Sequence, residues 1–375
     1  MKKITIMALH LGYGGIEKCI SDFANTFCDD YEIEIVSTYK LYEQPVYKLN
    51  KKVRVKYLIN ELKPNRKEFW DLLKKLRFIK TFKEGLKSIK ILYLKNKLMK
   101  NYLKECRSDI IISTRIYHNN ILSKYGNKSS IRIGWEHNHH NNNTNYYAKL
   151  IRSVKKLNYL VLVSKNLFKD YNKVLKNTNC RCVYIPNMII NESAKKSKLE
   201  GNNLITVSRL SKEKGIFDLI DVISLVNKEI KDLKHDLIGD GPLMDEVKAY
   251  IKEKNLENVV NILGFKPSSE VYKYLSKSSL YVMTSYTESF GIALLEAFSS
   301  GVPAIAFDSA QGSRELINDD NGYLIKSRNK ELMAEQIIKY LSSPKEKKRL
   351  SKTVCNITKE YSQEIIKSIW ETIFE

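Results

Sequence analysis

The sequence predicts an α/β protein of two domains, each built around a doubly wound, parallel sheet. A strand, a Gly-rich turn, a helix and a second strand follow one another over residues 3–37, which is the unit that makes parallel sheets. The same alternation of short β-branched runs with helical patterns starts again after residue 203. The length of 375 residues fits two domains, since a domain commonly holds about 150 residues.

The first domain is expected over residues 1–187. Pro186-Asn187 ends its last strand, and the polar stretch 191–203 is predicted to be a linker. Its helix at 16–27 follows the first strand directly. The expected strands lie at 3–8, 31–37, 109–113, 131–135, 159–163 and 182–185.

Residues 63–104 form a segment of different composition inside the first domain. They hold 14 Lys or Arg and 3 acidic residues, a net charge of +11. Leu and Ile recur near helical spacing, and Phe69, Trp70, Phe78 and Phe82 add aromatic bulk at one end. This pattern predicts one or two basic amphipathic helices.

The second domain is expected over residues 203–357 and is again α/β. A final segment, 358–375, contains apolar residues at helical spacing from Ile365 to Ile373, which predicts a terminal helix. The expected strands of this domain lie at 204–207, 234–238, 259–263, 280–283 and 303–307.

The composition excludes several classes of protein. With 43% hydrophobic residues, 7 Pro and 15 Gly, the chain is neither disordered nor collagen-like. Its 64 Lys and Arg against 42 Asp and Glu leave a net charge of +22, which predicts a polyanionic partner: nucleic acid, an acidic membrane face or phosphates. The six cysteines are scattered without zinc or redox spacing, so we expect reduced, mostly buried thiols.

The N-terminal stretch after Met1 has an apolar run too short and too polar for a signal peptide. No later stretch approaches 18 unbroken apolar residues. We therefore expect a cytoplasmic protein that does not span a membrane.

The stretch 284–297 carries the most informative motif. A strand ends at Met283, a loop rich in Ser and Thr follows, and a helix is expected to begin near Ile292; such a helix N-terminus binds anions. Glu288 and Glu296 can both approach one ligand beyond the carboxyl end of this strand, where open α/β sheets bind ligands. Carboxylates accept the hydroxyl hydrogen bonds of ribose or a sugar, although a single glutamate is more often only solvated.

A second motif occupies 208–215, between the first strand of the second domain and a helix. Arg209 and Lys214 lie five residues apart in this loop. Together they can converge on a diphosphate, with a planar fork from Arg and a point charge from Lys. Solvated cations are the simpler alternative, but the position at the carboxyl edge of a sheet favours a ligand.

Two further segments bear on cofactors. The turn at 12–17 has Glu17 where the dinucleotide-binding fingerprint needs glycine, so a nicotinamide cofactor is not expected. Four of the six histidines lie between 118 and 140, but they lack zinc-site spacing and have no partner Cys pair. No Asp-x-Asp is present to hold a divalent cation on a nucleotide diphosphate. We expect neither a metal nor another cofactor.

Six ordered motifs make the chain resemble the retaining family 4 glycosyltransferases over almost its whole length. These enzymes have the GT-B fold, in which two Rossmann-like domains with parallel sheets face each other across a cleft. The spacing E-x7-E between Glu288 and Glu296 is the most specific of the motifs. The others are GGIEK at 14–18, WEHN at 135–138, IPN at 185–187, SRL with Lys214-Gly215, and GDGP at 239–242.

The resemblance implies a role for each matching residue. Arg209 and Lys214 would hold the donor's diphosphate and stabilise the leaving nucleotide. Glu288 would bind the donor sugar and Glu296 the ribose, and His137 would lie beside the anomeric centre. The remaining implied contacts are backbone N–H groups at Phe290, Gly291 and Ile292 for sugar and phosphate, Gly15 for phosphate from the opposite domain, and Gly264 and Phe265 for the base.

The implied activity is that of a hexosyltransferase. It would move a sugar, with retention, from a nucleotide diphosphate sugar, most simply a UDP-sugar, to a glycan or lipid-linked acceptor at the cytoplasmic membrane face, for capsule or other cell-surface polysaccharide. A front-face mechanism and a double displacement are both open. The segment 63–104 would bind an anionic membrane surface peripherally, and a solvated helical insert is the alternative. Donor specificity is expected to vary in the loop 308–315.

Two other hypotheses account for parts of the sequence. The charge of +22 suits a nucleic-acid-binding protein on a Rossmann-like scaffold, but the chain contains no recognisable nucleic-acid-binding motif, so no nucleic acid partner is expected. A sugar-nucleotide epimerase or a phosphorylase would keep the fold and change the reaction. The epimerase fits the motifs poorly, and no lysine for pyridoxal phosphate is identifiable.

Overall fold

The computed structural model describes residues 1–190 and 195–375, and the first four residues of the expected linker lie outside them. The chain forms two compact units. Unit 1 contains residues 1–163, 167–185 and 369–375, and unit 2 contains 164–166 and 186–368.

Unit 1 is organised around a seven-stranded sheet in which every pair of neighbouring strands is parallel. The spatial order β3-β2-β1-β4-β5-β6-β7 reverses direction between β1 and β4. The strands are β1 (Lys3–Ala8), β2 (Glu32–Tyr39), β3 (Arg54–Ile59), β4 (Ile110–Ser113), β5 (Ile131–Glu136), β6 (Tyr159–Leu162) and β7 (Arg181–Tyr184).

Six helices accompany this sheet. The first of them shows why the local sequence folds as it does: Ile20, Phe23, Ala24 and Phe27 follow helical spacing and are all fully buried. Burial of each of the large side chains stabilises the fold by about 1.5–3 kcal/mol. The helices are α1 (Gly15–Phe27), α2 (Arg66–Lys74), α3 (Phe78–Glu105), α4 (Ile116–Tyr125), α5 (Thr144–Val154) and α6 (Lys165–Leu175).

Unit 2 contains a six-stranded parallel sheet in the order β10-β9-β8-β11-β12-β13, which reverses direction between β8 and β11. Its strands are β8 (Asn203–Val207), β9 (Lys234–Ile238), β10 (Val260–Gly264), β11 (Leu280–Met283), β12 (Ala304–Phe307) and β13 (Gly322–Ile325).

The helices of the second half bury a core of aliphatic side chains against this sheet. Three short 3-10 turns, at Lys212–Lys214, Lys326–Arg328 and Asn356–Tyr361, interrupt the pattern. The helices are α7 (Ile216–Glu229), α8 (Met244–Glu253), α9 (Ser268–Leu275), α10 (Ile292–Ser299), α11 (Gln311–Leu316), α12 (Lys330–Leu341), α13 (Pro344–Thr353) and α14 (Gln363–Glu371).

Two edge strands were not expected from the sequence. In β3, charged residues alternate with apolar ones, because only one side of this outer strand is covered. In β13, four residues follow a turn, which is too short a run to stand out. Both add to sheets whose inner strands were expected.

The segment 63–104 folds into α2 and most of α3. The two helices are joined by a turn in which Leu76 has a left-handed backbone conformation. From its middle onward, α3 packs on the edge of the sheet of unit 1, where Ile91 lies against Tyr39 and Ile59. Before Ile91, and at the two residues after it, the large apolar side chains of α3 stay exposed. Its exposed large side chains are Phe78, Ile79, Phe82, Leu86, Ile89, Leu92 and Tyr93.

The end of α14 belongs to unit 1, where Trp370 fills an aromatic cluster. Trp370 is 1% exposed, and its ring centroid lies 5.0 Å from that of Phe23 and 5.1 Å from that of Trp135. These rings meet edge to face. Because Trp370 is almost fully buried, removing the indole leaves a cavity.

We expect Trp370→Ala to lower the free energy of unfolding of unit 1 by about 3–5 kcal/mol, since a large buried side chain is replaced by a cavity. Ile365→Ala, on the same helix but 45% exposed, is the matched control and should change it by less than about 1 kcal/mol. Urea unfolding followed by tryptophan fluorescence and far-ultraviolet circular dichroism measures both. Equal small losses in the two variants would show that unit 1 does not depend on this helix.

Candidate active site

The candidate site of unit 2 lies where the strand order reverses. The loop after β8 carries Arg209 and Lys214, and the loop after β11 carries Glu288. Because β8 and β11 are adjacent and parallel, their carboxyl ends open side by side. This is the position at which open α/β sheets bind ligands.

The structure brings Lys214 and Glu288 into direct contact. The Nζ atom of Lys214 lies 2.5 Å from Oε2 of Glu288, and each side chain is about one-fifth exposed. The pair lines a small pocket together with Ser208, Thr284 and Gly291. Oγ of Ser208 is buried and has no hydrogen-bond partner among the described residues. A cation, a carboxylate and a hydroxyl thus surround one concave surface.

The GDGP turn holds the loop that carries Arg209. A Cβ atom on Gly239 would lie 1.8 Å from the carbonyl oxygen of Ser208, and one on Gly241 would lie 2.3 Å from that of Leu210. The N–H group of Leu210 donates to the carbonyl of Asp240 at 3.0 Å. Glycine is therefore required at both positions for the two backbones to pack this closely.

Helix α10 continues from the loop of Glu288. Gly291 precedes it with φ of 95°, which is left-handed and suits glycine, and no side chain among the described residues caps the helix N-terminus. Ile292 is therefore the first helical residue, and Phe290 and Glu296 are both buried. The N–H groups of this first turn point toward the loop, as the sequence motif indicates.

The loop 308–315, in which donor specificity is expected to vary, lies directly against the loop of Glu288. The N–H group of Gly312 donates to the carbonyl of Glu288 at 2.8 Å. A Cβ on Gly312 would lie 2.3 Å from the carbonyl oxygen of Phe290. The backbone of α11 is thus in direct contact with the backbone of Glu288.

Gly264 ends β10 and lies beside the GDGP turn at 239–242. It has φ of 68°, a Cβ there would meet nothing within 4 Å, and its carbonyl accepts from the N–H group of Gly239 at 2.9 Å. Phe265 follows and is half-buried. The space above Gly264 and the flat ring of Phe265 suit a planar base.

In unit 1, the strand order reverses between β1 and β4, and a charged pair lies there. Glu17, in the first turn of α1, is almost fully buried and accepts a hydrogen bond from Arg115 at 2.8 Å. Its carboxylate folds back over Gly14, where a Cβ would lie 2.1 Å away. A Cβ on Gly15 would meet nothing within 4 Å, so open space adjoins the start of α1.

His137 follows β5 and is buried beside Trp135, with ring centroids 4.4 Å apart. Burial, assisted by the nearby charge of Arg115, lowers the pKa of His137 to about 3, so the ring is neutral. Its Nε2 atom has no hydrogen-bond partner within the described part of the chain. A neutral imidazole nitrogen can donate to or accept from one ligand hydroxyl.

Glu136, the residue before it, is a buried carboxyl. It accepts hydrogen bonds from the N–H group of Asn138 at 2.7 Å and from the hydroxyl of Tyr146 at 3.0 Å. Burial raises the pKa of Glu136 to about 7 although these bonds and Arg115 oppose the shift. The carboxyl thus fixes the loop that carries His137.

His139 and His140 lie in the same loop as His137. His140 lies 3.1 Å from the carboxylate of Asp170, and His139 stacks on its ring. The potential ligand atoms of these three residues lie within 4.8 Å of one another. His140 thus ties this loop to α6, and the hydroxyl of Tyr147 in α5 donates to the carbonyl of the same Asp170.

Residues 189–355 match the family described as glycosyl transferases group 1. An exopolysaccharide phosphotransferase of Streptomyces coelicolor is 24% identical over 96% of this chain and 39% of its own length. A poly(glycerol-phosphate) alpha-glucosyltransferase of Bacillus subtilis is 26% identical over 60% of this chain and 35% of its own. The chain therefore spans about two-fifths or less of the length of these two relatives.

TarM of S. aureus, solved with fondaparinux, alpha-GlcNAc-glycerol and UDP, superposes with a TM-score of 0.80 at 19% identity, over the whole of both chains. This likeness concerns the fold. Together with the two parallel sheets, it confirms the expected GT-B class with two Rossmann-like domains.

Two basic residues near the sites described above in unit 1 and unit 2 were not expected from the sequence. Arg115 follows β4 in unit 1, and Arg328 follows β13 in unit 2. For Arg115, the only signal in the sequence is its position at the carboxyl end of an expected strand. Arg328 has no such signal, because β13 itself was not expected. Their partners, Glu17 and Asp218, are about 100 residues away in the chain, so the contacts appear only in the fold.

We expect Glu136→Gln to remove a pH dependence of stability. A raised pKa means that the folded protein holds this proton more tightly than the unfolded chain, whose glutamates titrate near 4.5. The free energy of unfolding of the native sequence should therefore fall, relative to the variant, as the pH rises from about 4.5 to about 7, and then level off.

Urea unfolding of both proteins at pH 5, 6, 7 and 8 measures the difference. Comparison at equal pH cancels every other titrating group, including the buried His137. The expected change in the gap is on the order of 1–3 kcal/mol. A gap that stays constant, or that moves the other way, would contradict the assignment of a buried, protonated carboxyl.

Proposed function

We propose, from the match of residues 189–355 to the group 1 glycosyltransferases, that this protein transfers a hexose from a UDP-sugar to a glycan or lipid-linked acceptor. One observation carries the proposal. Lys214 and Glu288 meet at the pocket where the strand order of unit 2 reverses, which places a cation for phosphate next to a carboxylate for sugar hydroxyls.

The donor is held by the two loops of unit 2. Arg209 and Lys214 bind the diphosphate, and their charge stabilises the UDP that leaves. Glu288 accepts hydrogen bonds from the donor sugar, and Glu296 from the ribose, while the first turn of α10 presents N–H groups. The bound UDP of TarM supports the choice of nucleotide.

The reaction replaces one bond at the anomeric carbon. The bond from C1 to the phosphate oxygen breaks with its electrons going to UDP, and a bond from C1 to the acceptor oxygen forms on the same face. The acceptor's proton leaves with the departing phosphate or a base. Neutral His137 supports the charge that develops near C1. We propose that Arg209 and Lys214 supply the positive charge at the phosphates, so that no divalent metal is needed.

The acceptor is a polymer of the cell surface or its lipid-linked precursor. The relative from B. subtilis is named for glucosylation of poly(glycerol-phosphate), and TarM was solved with alpha-GlcNAc-glycerol. Alpha-linked products are those that retention gives from the common UDP-sugars, which supports retaining chemistry and family 4. A net charge of +22 suits a polyanionic acceptor.

We expect Glu288→Ala and Arg209→Ala each to lower turnover of UDP-sugar by a factor of at least about 100, since each removes a group that acts on the donor in the transition state. UDP release from UDP-glucose or UDP-GlcNAc, with poly(glycerol-phosphate) as acceptor, measures this. Glu335→Ala and Arg349→Ala, both on exposed helix faces of unit 2, are the matched controls. Full activity in either site variant contradicts the assignment.

The nucleotide and the metal are tested in the same preparation. UDP should raise the apparent melting temperature, and ADP and GDP should do so less, because only a bound ligand stabilises by mass action. EDTA should leave turnover unchanged. Loss of activity in EDTA, restored by a divalent cation, would show that a metal takes part.

We also propose that α2 and the first half of α3 bind an anionic membrane surface. No helix among the residues described here is long and apolar enough to cross a membrane. We call α2 and the first half of α3 the basic hairpin. It carries exposed apolar side chains together with lysines, which is the pattern of a helix that lies in the membrane–water interface. The segment 63–104 carries +11 of the net +22 in 42 residues.

The two kinds of side chain act together. Inserting an exposed apolar side chain contributes up to about 1.5–3 kcal/mol, and each lysine near an anionic surface contributes about 1 kcal/mol. Ile79 is 77% exposed and Phe82 is 68% exposed, so both are available for insertion. The hairpin thus suits a site of action at the cytoplasmic membrane face, where a lipid-linked acceptor is presented.

We expect the double substitution Ile79→Ser and Phe82→Ser to weaken binding to vesicles containing about one-third phosphatidylglycerol by about tenfold or more. Co-sedimentation at moderate salt measures the bound fraction. The control is Leu332→Ser with Val174→Ser, which removes two exposed apolar side chains elsewhere on the surface, each about half exposed.

Two outcomes would contradict this proposal. One is equal loss in both double variants, which would indicate a general effect of surface polarity. The other is native protein that stays in the supernatant but binds duplex DNA tightly at the same salt, which would indicate that the basic hairpin serves nucleic acid.

A further inference from the structure

Arg328 adopts a backbone conformation that arginine normally avoids. It has φ of 49° and follows Ser327, which has φ of 58°. Two successive non-glycine residues in the left-handed region are strained, so the surroundings must hold them. The contacts of the Arg328 side chain do so.

The guanidinium of Arg328 joins two loops of unit 2 to the first turn of α7. One terminal nitrogen donates to the carbonyl of Ser285 at 3.1 Å and to Oγ of Ser309 at 2.8 Å. The other donates to the carbonyl of Thr284 at 2.9 Å and pairs with the carboxylate of Asp218. Ser285 follows β11, Ser309 follows β12 and Asp218 begins α7.

Aromatic rings complete this setting. The guanidinium carbon of Arg328 lies 3.6 Å from the ring centroid of Tyr286 and 4.5 Å from that of Phe307. The hydroxyl of Tyr286 donates to Asp218 at 2.8 Å. A planar cation with a fork of donors satisfies the stacking and the hydrogen bonds at once, which a lysine cannot.

The carbonyls that Arg328 holds belong to the segment that fits against the loop of Lys214. Oγ1 of Thr284 donates to the carbonyl of Gly215 at 2.9 Å, and the N–H group of Tyr286 donates to that of Glu213 at 2.9 Å. A Cβ on Gly215 would lie 2.2 Å from the carbonyl oxygen of Thr284. The two loops are therefore in register only while residues 284–286 keep this position.

We propose that Arg328 is a positioning residue that keeps Lys214 and Glu288 in register for the donor. Arg328 bonds the backbone three and four residues before Glu288 and, within the described residues, makes no hydrogen bond to the side chain of Lys214 or Glu288. Its effect on the reaction is therefore indirect. This inference rests on the proposed function, because it assigns the pair Lys214–Glu288 to donor binding.

Arg328→Gly is the sharpest test. Glycine accepts the left-handed backbone without strain, so the substitution removes the guanidinium and the strain together and should leave the protein folded. We expect kcat to fall by about 10- to 100-fold, since a misplacement of about 1 Å costs that much, while KM for UDP-sugar changes less than about threefold because Arg209 still binds the diphosphate. Arg328→Lys should not restore kcat.

Lys330→Gln is the matched control. Lys330 pairs with Asp221 at 2.8 Å and with Asp218 at 3.8 Å but does not bond the loops, so its variant should keep kcat within about twofold. Unchanged kcat in Arg328→Gly, full rescue by lysine, or an equal loss in Lys330→Gln would each overturn the proposal.

Hydrogen exchange separates this inference from the proposed function. In the free protein, the amide of Tyr286, bonded to Glu213, should exchange at least about tenfold faster in Arg328→Gly than in the native sequence or Lys330→Gln. If the native protein turns over no UDP-sugar but this exchange changes, the proposed function fails and the positioning of the loop stands. Exchange that does not change overturns the positioning.

Discussion

The close approach of the loops after β8 and β11 is the constraint on which the candidate site depends. Gly215 and Thr284 are so near that any side chain at 215 would collide with a carbonyl oxygen. This contact is possible because β8 and β11 are parallel neighbours at the point where the strand order reverses. It brings Lys214 to Glu288, two residues 74 positions apart, without either leaving its own loop.

The sequence predicted the inner strands and the loops that follow them, because buried β-branched runs and glycine turns are local signals. It missed β3 and β13, whose outer position leaves a mixed or short pattern. It also missed Arg115 and Arg328. The role of a single basic residue after a strand depends on partners such as Glu17. A local sequence pattern does not predict a partner about 100 residues away.

The amphipathic segment shows a different limit. Periodicity predicted helices at 63–104 but did not reveal which apolar residues would be covered. Ile91 packs at the sheet edge, whereas Ile79 and Phe82, which follow the same spacing, stay exposed. Both outcomes are compatible with helical periodicity. The periodicity predicts an apolar face on the helix but does not predict which part of the protein packs against that face.

The net charge of +22 therefore divides into two physical regimes. Lys214 at the pocket and Arg328 behind the loop that carries Glu288 are paired and partly buried, with Glu288 and Asp218 respectively. Such cations are held in place, so under the proposed function a diphosphate at Lys214 would meet a charge that need not reorganise. On α3 the lysines stand largely in solvent, where attraction to an anionic surface is screened by salt within about 8 Å. Salt should thus weaken the surface contact far more than donor binding, because only the exposed charges exchange one set of counterions for another.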